Sequence, residues 1–145
     1  MENEFIPYEQ ALALKELGFD EPCVLYWRPE MDGSMHMFCH SDCYFWDAIG
    51  SNNSDNAKWV TCTAPLYQQA FRWFREKHNW QHSIDPTADQ HSRQLGYNYW
   101  IWNYKTGEEH WTMPKNRPTG DWEYETYEQA ELECLRKLIG IVKNK

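Results

Sequence analysis

A short segment in the first third of the chain carries the residue types that bind transition metals. His36, Cys39, His40 and Cys43 lie close together in sequence, and imidazole and thiolate groups at short spacings can hold a tetrahedral zinc ion. Three residues separate Cys39 from Cys43, however, and no second ligand pair at zinc-finger spacing follows. If residues 35–39 form a strand, His36 and Cys39 also point to opposite faces. We therefore predict that the protein binds no metal or other cofactor. A zinc site formed by His36, Cys39, His40 and Cys43 is the alternative.

Catalysis finds little support in the residue pattern. Five cysteines and six histidines allow Cys–His pairs, but no glycine pattern or oxyanion-hole motif accompanies any of them. The candidate acidic residues fall in predicted loops or strand ends, and nothing fixes two of them at the separation that a hydrolase needs. They are Asp42, Asp47, Glu108, Glu109, Asp121 and Glu123. Glycine-rich phosphate loops and the His-Glu-x-x-His zinc motif are absent from the sequence. The sequence therefore predicts a protein that is not an enzyme.

Residues 97–104 form a strongly aromatic segment with the alternation of a β-strand. Alternation places Trp100, Trp102 and Tyr104 on one face, and Trp111 of a following hairpin strand lies opposite them. One face must pack on the helices, so the other can present its rings to a protein partner or a small stacking ligand. A homodimer through these rings, or a ladder of cross-strand pairs covered by a loop, is the alternative.

The chain is acidic and rich in aromatic residues. It has 145 residues, a net charge of -8, nine Trp, nine Tyr and six Phe. A negative net charge disfavours binding to nucleic acid, whose phosphates it repels. If the ligand is nevertheless a nucleotide or nucleic acid, Arg72 and Arg75 on a predicted helix are the candidate phosphate contacts. A nucleotide or nucleic-acid binding module is thus the second function that we carry forward.

The predicted location is the cytoplasm. The first residues are acidic and lack the apolar core of a signal peptide, and no apolar stretch is long enough to span a membrane. Five cysteines without a secretory signal indicate reduced thiols. We therefore expect no membrane partner.

Three helices and an antiparallel sheet must position these residues. The first helix begins near Pro7, and Gly18 followed by Phe19 predicts a left-handed glycine cap at its end. The second runs over residues 65–78. For the third, Thr126 with Gln129 three residues later predicts an N-terminal capping box.

The remaining segments predict strands. Residues 23–27 and 35–39 form one hairpin, residues 80–84 a short strand, and residues 97–104 and 109–113 a second hairpin, with a loop over 86–93. Local hairpins imply an antiparallel sheet with helices packed on one face. The prediction is an α+β fold of three helices on one antiparallel sheet, in the order α-β-β-α-β-β-β-α, as a single domain over residues 1–145.

Two resemblances add to this interpretation. Residues 5–20, 64–77 and 126–131 resemble small proteins of unknown function encoded by phages and prophages of gut bacteria. That resemblance implies an accessory protein in the host cytoplasm, which captures a host protein or sequesters a small ligand, and it implies no catalytic residue. The final α-β-β-β-α order resembles double-stranded-RNA-binding domains. Their basic final helix start is acidic here, at Glu125, Glu128 and Glu131.

Overall fold

The computed structural model describes residues 4–39, 61–88, 94–112 and 122–145. The chain divides into two compact units, Met1–Ala70 and Phe71–Lys145. Three helices and two small antiparallel sheets account for the regular structure of the described residues, which confirms the predicted α+β class. The structure adds a short strand before the second helix and distributes the strands over two sheets instead of one.

The helix α1 of unit one spans Tyr8–Glu16 and ends in the predicted glycine cap. Gly18 adopts a φ of 89°, where a side chain would be strained. Its N–H donates to the Lys15 carbonyl at 3.0 Å, and the Phe19 N–H donates to the Leu14 carbonyl at 2.9 Å. These two bonds satisfy the last carbonyls of the helix, and Phe19 packs back into the core.

The first sheet contains β1 (Leu25–Pro29), β2 (Met35–Cys39) and β3 (Cys62–Ala64) in the order β2-β1-β3. The predicted hairpin between β1 and β2 is confirmed, with Leu25 opposite Cys39. The sequence did not predict β3. Its three residues are all buried, so no alternation of polar and apolar residues marks it.

The second sheet contains β4 (Trp80–Ala88), β5 (Leu95–Asn103) and β6 (Glu109–Trp111) in the order β4-β5-β6. The strand β4 extends through Pro86, which lies opposite Tyr97, so the expected loop over 86–93 is wrong for residues 86–88. The rest of that predicted loop lies outside the described residues. Proline lacks the N–H of a ladder bond and is tolerated on an edge strand such as β4. The hairpin of β5 and β6 is confirmed.

Two helices accompany this sheet. The helix α2 spans Tyr67–His78 and stops where Asn79 adopts a φ of 62°. The helix α3 spans Tyr127–Lys143, and the Thr126 hydroxyl accepts the Gln129 N–H at 3.2 Å as predicted. The Gln129 side chain in turn accepts the N–H of Glu125 at 3.2 Å, which closes the first turn of α3.

The second sheet has a core face and an outer face. The core face carries the side chains of Trp80, His82, Tyr97, Tyr99 and Ile101, and the outer face carries Gln81, Ser83, Trp100, Trp102 and Trp111. Both helices pack on the core face. The ring centroids of Phe71 on α2 and His82 are 3.7 Å apart, and those of Tyr127 on α3 and Tyr97 are 5.9 Å apart. Trp80 and Ile101 are fully buried there.

Candidate functional site

Three tryptophans form one surface on the outer face. Trp100 and Trp102 lie two residues apart on β5, so both side chains leave the same side of the strand. Trp111 on β6 lies directly opposite Trp100. We call Trp100, Trp102 and Trp111 the tryptophan face.

The three rings are close together and partly open to solvent. The ring centroids of Trp100 and Trp102 are 4.7 Å apart, with 33° between the ring planes. Trp100 is 39 % exposed and Trp111 is 53 % exposed, whereas Trp102 is half-buried. Large rings held on a sheet provide contact area with little loss of conformational entropy on binding, and each indole also offers one N–H donor.

The other end of β5 is covered on the same face by Trp122. A Cβ at Gly96 would leave the strand on the side of Asn98 and Trp100, and it would overlap the Trp122 ring. Trp122 is only 5 % exposed. The Glu123 N–H donates to the Asn98 side-chain oxygen at 3.0 Å. This bond holds the residue after Trp122 against β5. The sequence analysis missed this contact, although a lone glycine inside an aromatic strand is a signal of close approach.

On the core face, tyrosines connect β5 to the chain that leads into α3. Tyr97 and Tyr124 exchange two backbone hydrogen bonds of 2.8 and 3.1 Å. The Tyr99 and Tyr124 rings stack at 6.0 Å, and burial raises the pKa of both hydroxyls. These phenols therefore stay protonated at neutral pH, and this side of β5 serves packing.

Tyr104 lies one residue beyond the end of β5, in the turn that leads to β6. Its ring is exposed, and its hydroxyl donates to the Asn79 side-chain oxygen at 2.7 Å. The hydroxyl thus ties the Tyr104 ring to the residue that follows α2.

The structure does not bring Arg72 and Arg75 to the tryptophan face. Both are exposed residues of α2, which packs on the core face. Burial lowers the pKa of His82 to about 4, and the nearby charge of Arg75 acts in the same direction. Because His82 belongs to the core face, Arg75 lies on the opposite side of the sheet from the three rings.

The outer face carries acidic and no basic strand residues. Glu109 lies opposite Trp102, and Asp85 lies opposite Asn98, next to the Trp100 position. None of the residues of β4, β5 and β6 is Lys or Arg. Lys105 follows in the turn after β5.

An open cleft of about 290 Å³ borders the tryptophan face at β6. Trp111 belongs to both surfaces, and Glu109 and the Lys137 side chain from α3 contribute to the lining of the cleft. The full lining is Tyr99, Glu109, His110, Trp111 and Lys137.

The predicted metal candidates lie partly outside the described residues, which do not include His40 and Cys43. His36 is exposed, and its Nε2 lies 2.9 Å from the Ser34 hydroxyl. Cys39 lies three residues along β2, on the other face of the strand. Among the described residues, no group of three or more His, Cys, Asp or Glu could hold a metal ion.

Three of the cysteines are buried thiols. Burial raises the pKa of Cys23 to about 11 and that of Cys62 to about 12, and it raises the pKa of Cys134 further. Thiols with raised pKa values are poor nucleophiles, because the thiolate is the reactive form. These three cysteines are therefore packing residues of the core.

The chain matches no family model, no curated protein and no solved structure. Its elements α2-β4-β5-β6-α3 follow the predicted α-β-β-β-α order, and the first turn of α3 carries Glu128. The likeness to double-stranded-RNA-binding domains and the phage origin stay predictions. Within the described ranges, no helix has the length and apolar character needed to cross a bilayer.

Proposed function

We propose that this chain is a non-enzymatic binding protein whose tryptophan face contacts a protein partner. The observation that carries the proposal is the cluster of Trp100, Trp102 and Trp111, side by side on one rigid sheet, with two of the rings 39 % and 53 % exposed. Tryptophan is one of the three residue types enriched among the few residues that dominate binding energies at protein interfaces.

The packed core behind the tryptophan face supports its assignment as a binding surface. Behind it lie fully buried residues of the core face, including Trp80 and Ile101. A surface held in this way loses little entropy on binding, so the contact area of the rings contributes directly to affinity. In the setting that the phage resemblance implies, the partner is a cytoplasmic host protein, captured one to one.

The small-ligand and nucleotide alternatives have less support. Arg72 and Arg75, the candidate phosphate contacts, lie on α2 and not beside the rings. The strands that carry the rings also lack Lys and Arg. Native mass spectrometry of the purified chain tests this directly, since a nucleotide-sized added mass would favour these alternatives.

The main test is affinity capture with a double variant, Trp100→Ala with Trp102→Ala. Immobilised wild-type protein should retain a specific protein from host extract, and the double variant should lose it. Tyr127→Ala is the matched control, because Tyr127 is also an exposed ring but lies on α3. It should retain the partner.

Circular dichroism must accompany this test. The proposal requires that the double variant keeps the far-ultraviolet spectrum of the wild type. Equal retention by both proteins would contradict it. Unfolding of the double variant would mean that the two rings belong to the core, which would also contradict it.

A further inference from the structure

The outer face combines exposed indole rings with carboxylates. Glu109 is the direct cross-strand neighbour of Trp102. Asp85 lies diagonal to Trp100, and its carboxylate accepts the Ser83 hydroxyl at 3.0 Å, so it is held on the same face. This surface thus combines carboxylates with π-systems whose faces attract cations. Lys137 of α3 lines the neighbouring cleft together with Glu109 and Trp111.

The same unit already holds a cation with a tryptophan and a carboxylate. The Lys145 ammonium lies 4.8 Å from the Trp80 ring centroid and 3.5 Å from a Glu108 carboxylate oxygen. Trp102 and Glu109 form a similar pair of a tryptophan ring and a carboxylate on the outer face. None of the residues of β4, β5 and β6 is a Lys or Arg that could place its charge beside this second pair.

In unit one, the chain also shows the arginine form of this contact. The Arg28 guanidinium carbon lies 3.9 Å from the Phe38 ring centroid, where the two residues are on adjacent strands. Arginine stacks on aromatic rings more readily than lysine, because its guanidinium is planar and weakly hydrated.

We propose that the tryptophan face takes an arginine side chain from a basic segment of the partner protein. The guanidinium stacks on the Trp100–Trp102 pair and meets the carboxylate of Glu109. A second copy of this chain fits the face less well, because two such faces would bring their carboxylates together. This inference rests on the proposed function, and it names the chemistry of the partner.

The test uses a synthetic peptide with three arginines spaced by glycine and serine. A matched peptide carries citrulline, the neutral analogue of arginine with nearly the same shape. Indole N–H signals in a nitrogen–proton correlation spectrum report which tryptophans are contacted, and calorimetry gives the Kd. We expect the arginine peptide to shift the signals of Trp100, Trp102 and Trp111, and the citrulline peptide to leave them unchanged.

Variants separate the charge from the rings. Glu109→Gln should weaken arginine-peptide binding roughly two- to fivefold, the range of one exposed charge pair. Glu76→Gln is the matched control, an exposed carboxylate of α2, and should leave the Kd unchanged. Trp102→Ala should weaken binding by about thirtyfold, as expected for a dominant interface residue. Added salt should weaken the wild-type complex.

Two results would overturn the inference. Equal binding of both peptides through the tryptophans would show a binding surface without a preference for cations, so the proposed function would survive and this inference would fail. No shift of the tryptophan signals by either peptide would also remove it. In that case, the capture experiment with the double variant would decide the proposed function independently.

Discussion

Tryptophan rings lie on the outer face at both ends of β5, but they differ in their exposure to solvent. At one end, Gly96 lies under the ring of Trp122, which is 5 % exposed. At the other end, Trp100 and Trp111 lie side by side and are 39 % and 53 % exposed. One end therefore contributes to stability, and the other is free to contribute to binding.

The difference comes from the chain that follows β6. Where Tyr124 pairs with Tyr97 and the Glu123 N–H donates to the Asn98 side chain, the backbone runs antiparallel beside β5, and the Trp122 ring lies over Gly96. An exposed tryptophan ring and a buried one on the same face of this sheet show that hydrophobic character alone does not decide burial. The close approach of a covering segment decides it.

The largest predicted difference is between two tryptophan truncations. Trp122→Ala should lower the free energy of unfolding by about 3–5 kcal/mol, because it removes a buried ring and leaves a cavity. Trp111→Ala should lower it by less than about 1 kcal/mol, because more than half of that ring is in water. Urea unfolding of both variants measures the difference. Equal losses would erase the distinction between the two ends of β5.

A glycine pair sharpens the same comparison. Gly96→Ala should lower the free energy of unfolding by about 2–3 kcal/mol, because the added methyl group displaces the Trp122 ring. Gly140→Ala in α3 meets no atom within 4 Å, and it should stabilise the protein by about 0.5–1 kcal/mol through helix propensity. Thermal unfolding of both variants should therefore shift Tm in opposite directions. A Gly96→Ala variant that melts like the wild type would show that Trp122 does not pack on β5.

Burial also changes the pKa of an acid on α3, the helix on the opposite face of the sheet from Trp122. Burial, and then the charge of Glu128, raises the pKa of Glu131 to about 7. Since the folded-state pKa is above the unfolded value, this group favours the fold at low pH, and that contribution is lost as pH rises from about 4.5 to about 7.

Glu131→Gln removes this titration. The unfolding free energy of the variant minus that of the wild type should increase by about 1 kcal/mol from pH 5 to pH 8. This value is discounted for solvent screening. Urea unfolding at the two pH values measures the gain. Parallel pH profiles for the variant and the wild type would contradict the raised pKa.

The smallest expected effect is at the edge of the open end. Tyr104→Phe removes the hydroxyl that donates to Asn79, and should cost about 0.5–1 kcal/mol of unfolding free energy. Partner capture should stay at the wild-type level, because the ring remains. Loss of capture would place the Tyr104 hydroxyl in the binding surface itself.

Local signals predicted the elements well. Gly18 and Phe19 end α1 as expected, and Thr126 starts α3 as expected, because caps depend on residues that are adjacent in sequence. The alternation of β5 also predicted that Trp100 and Trp102 share a face. It placed Tyr104 on that face as well, whereas Tyr104 lies in the turn after the strand. The strand β3 was missed because its three residues are too few to show a period.

Long-range contacts of the site were not predictable in this way. Nothing near Gly96 in sequence indicates that Trp122 covers it, since the contact depends on where the chain after β6 returns. The separation of Arg75 from the rings likewise depends on which face α2 packs against. The sequence suggested a joint site of arginines and rings, and only the layering of α2 and the sheet separates them.

The most direct test of the central claim is the solvent accessibility of the tryptophans in the unmodified protein. Fluorine-labelled tryptophan gives one nuclear magnetic resonance signal per ring, assigned by single Trp→Phe changes, and a soluble paramagnetic agent broadens the accessible signals. We predict strong broadening for Trp100 and Trp111 and protection for Trp80 and Trp122. If Trp100 and Trp111 were as protected as Trp80, the open tryptophan face would not exist in solution, and the proposed binding function would lose its basis.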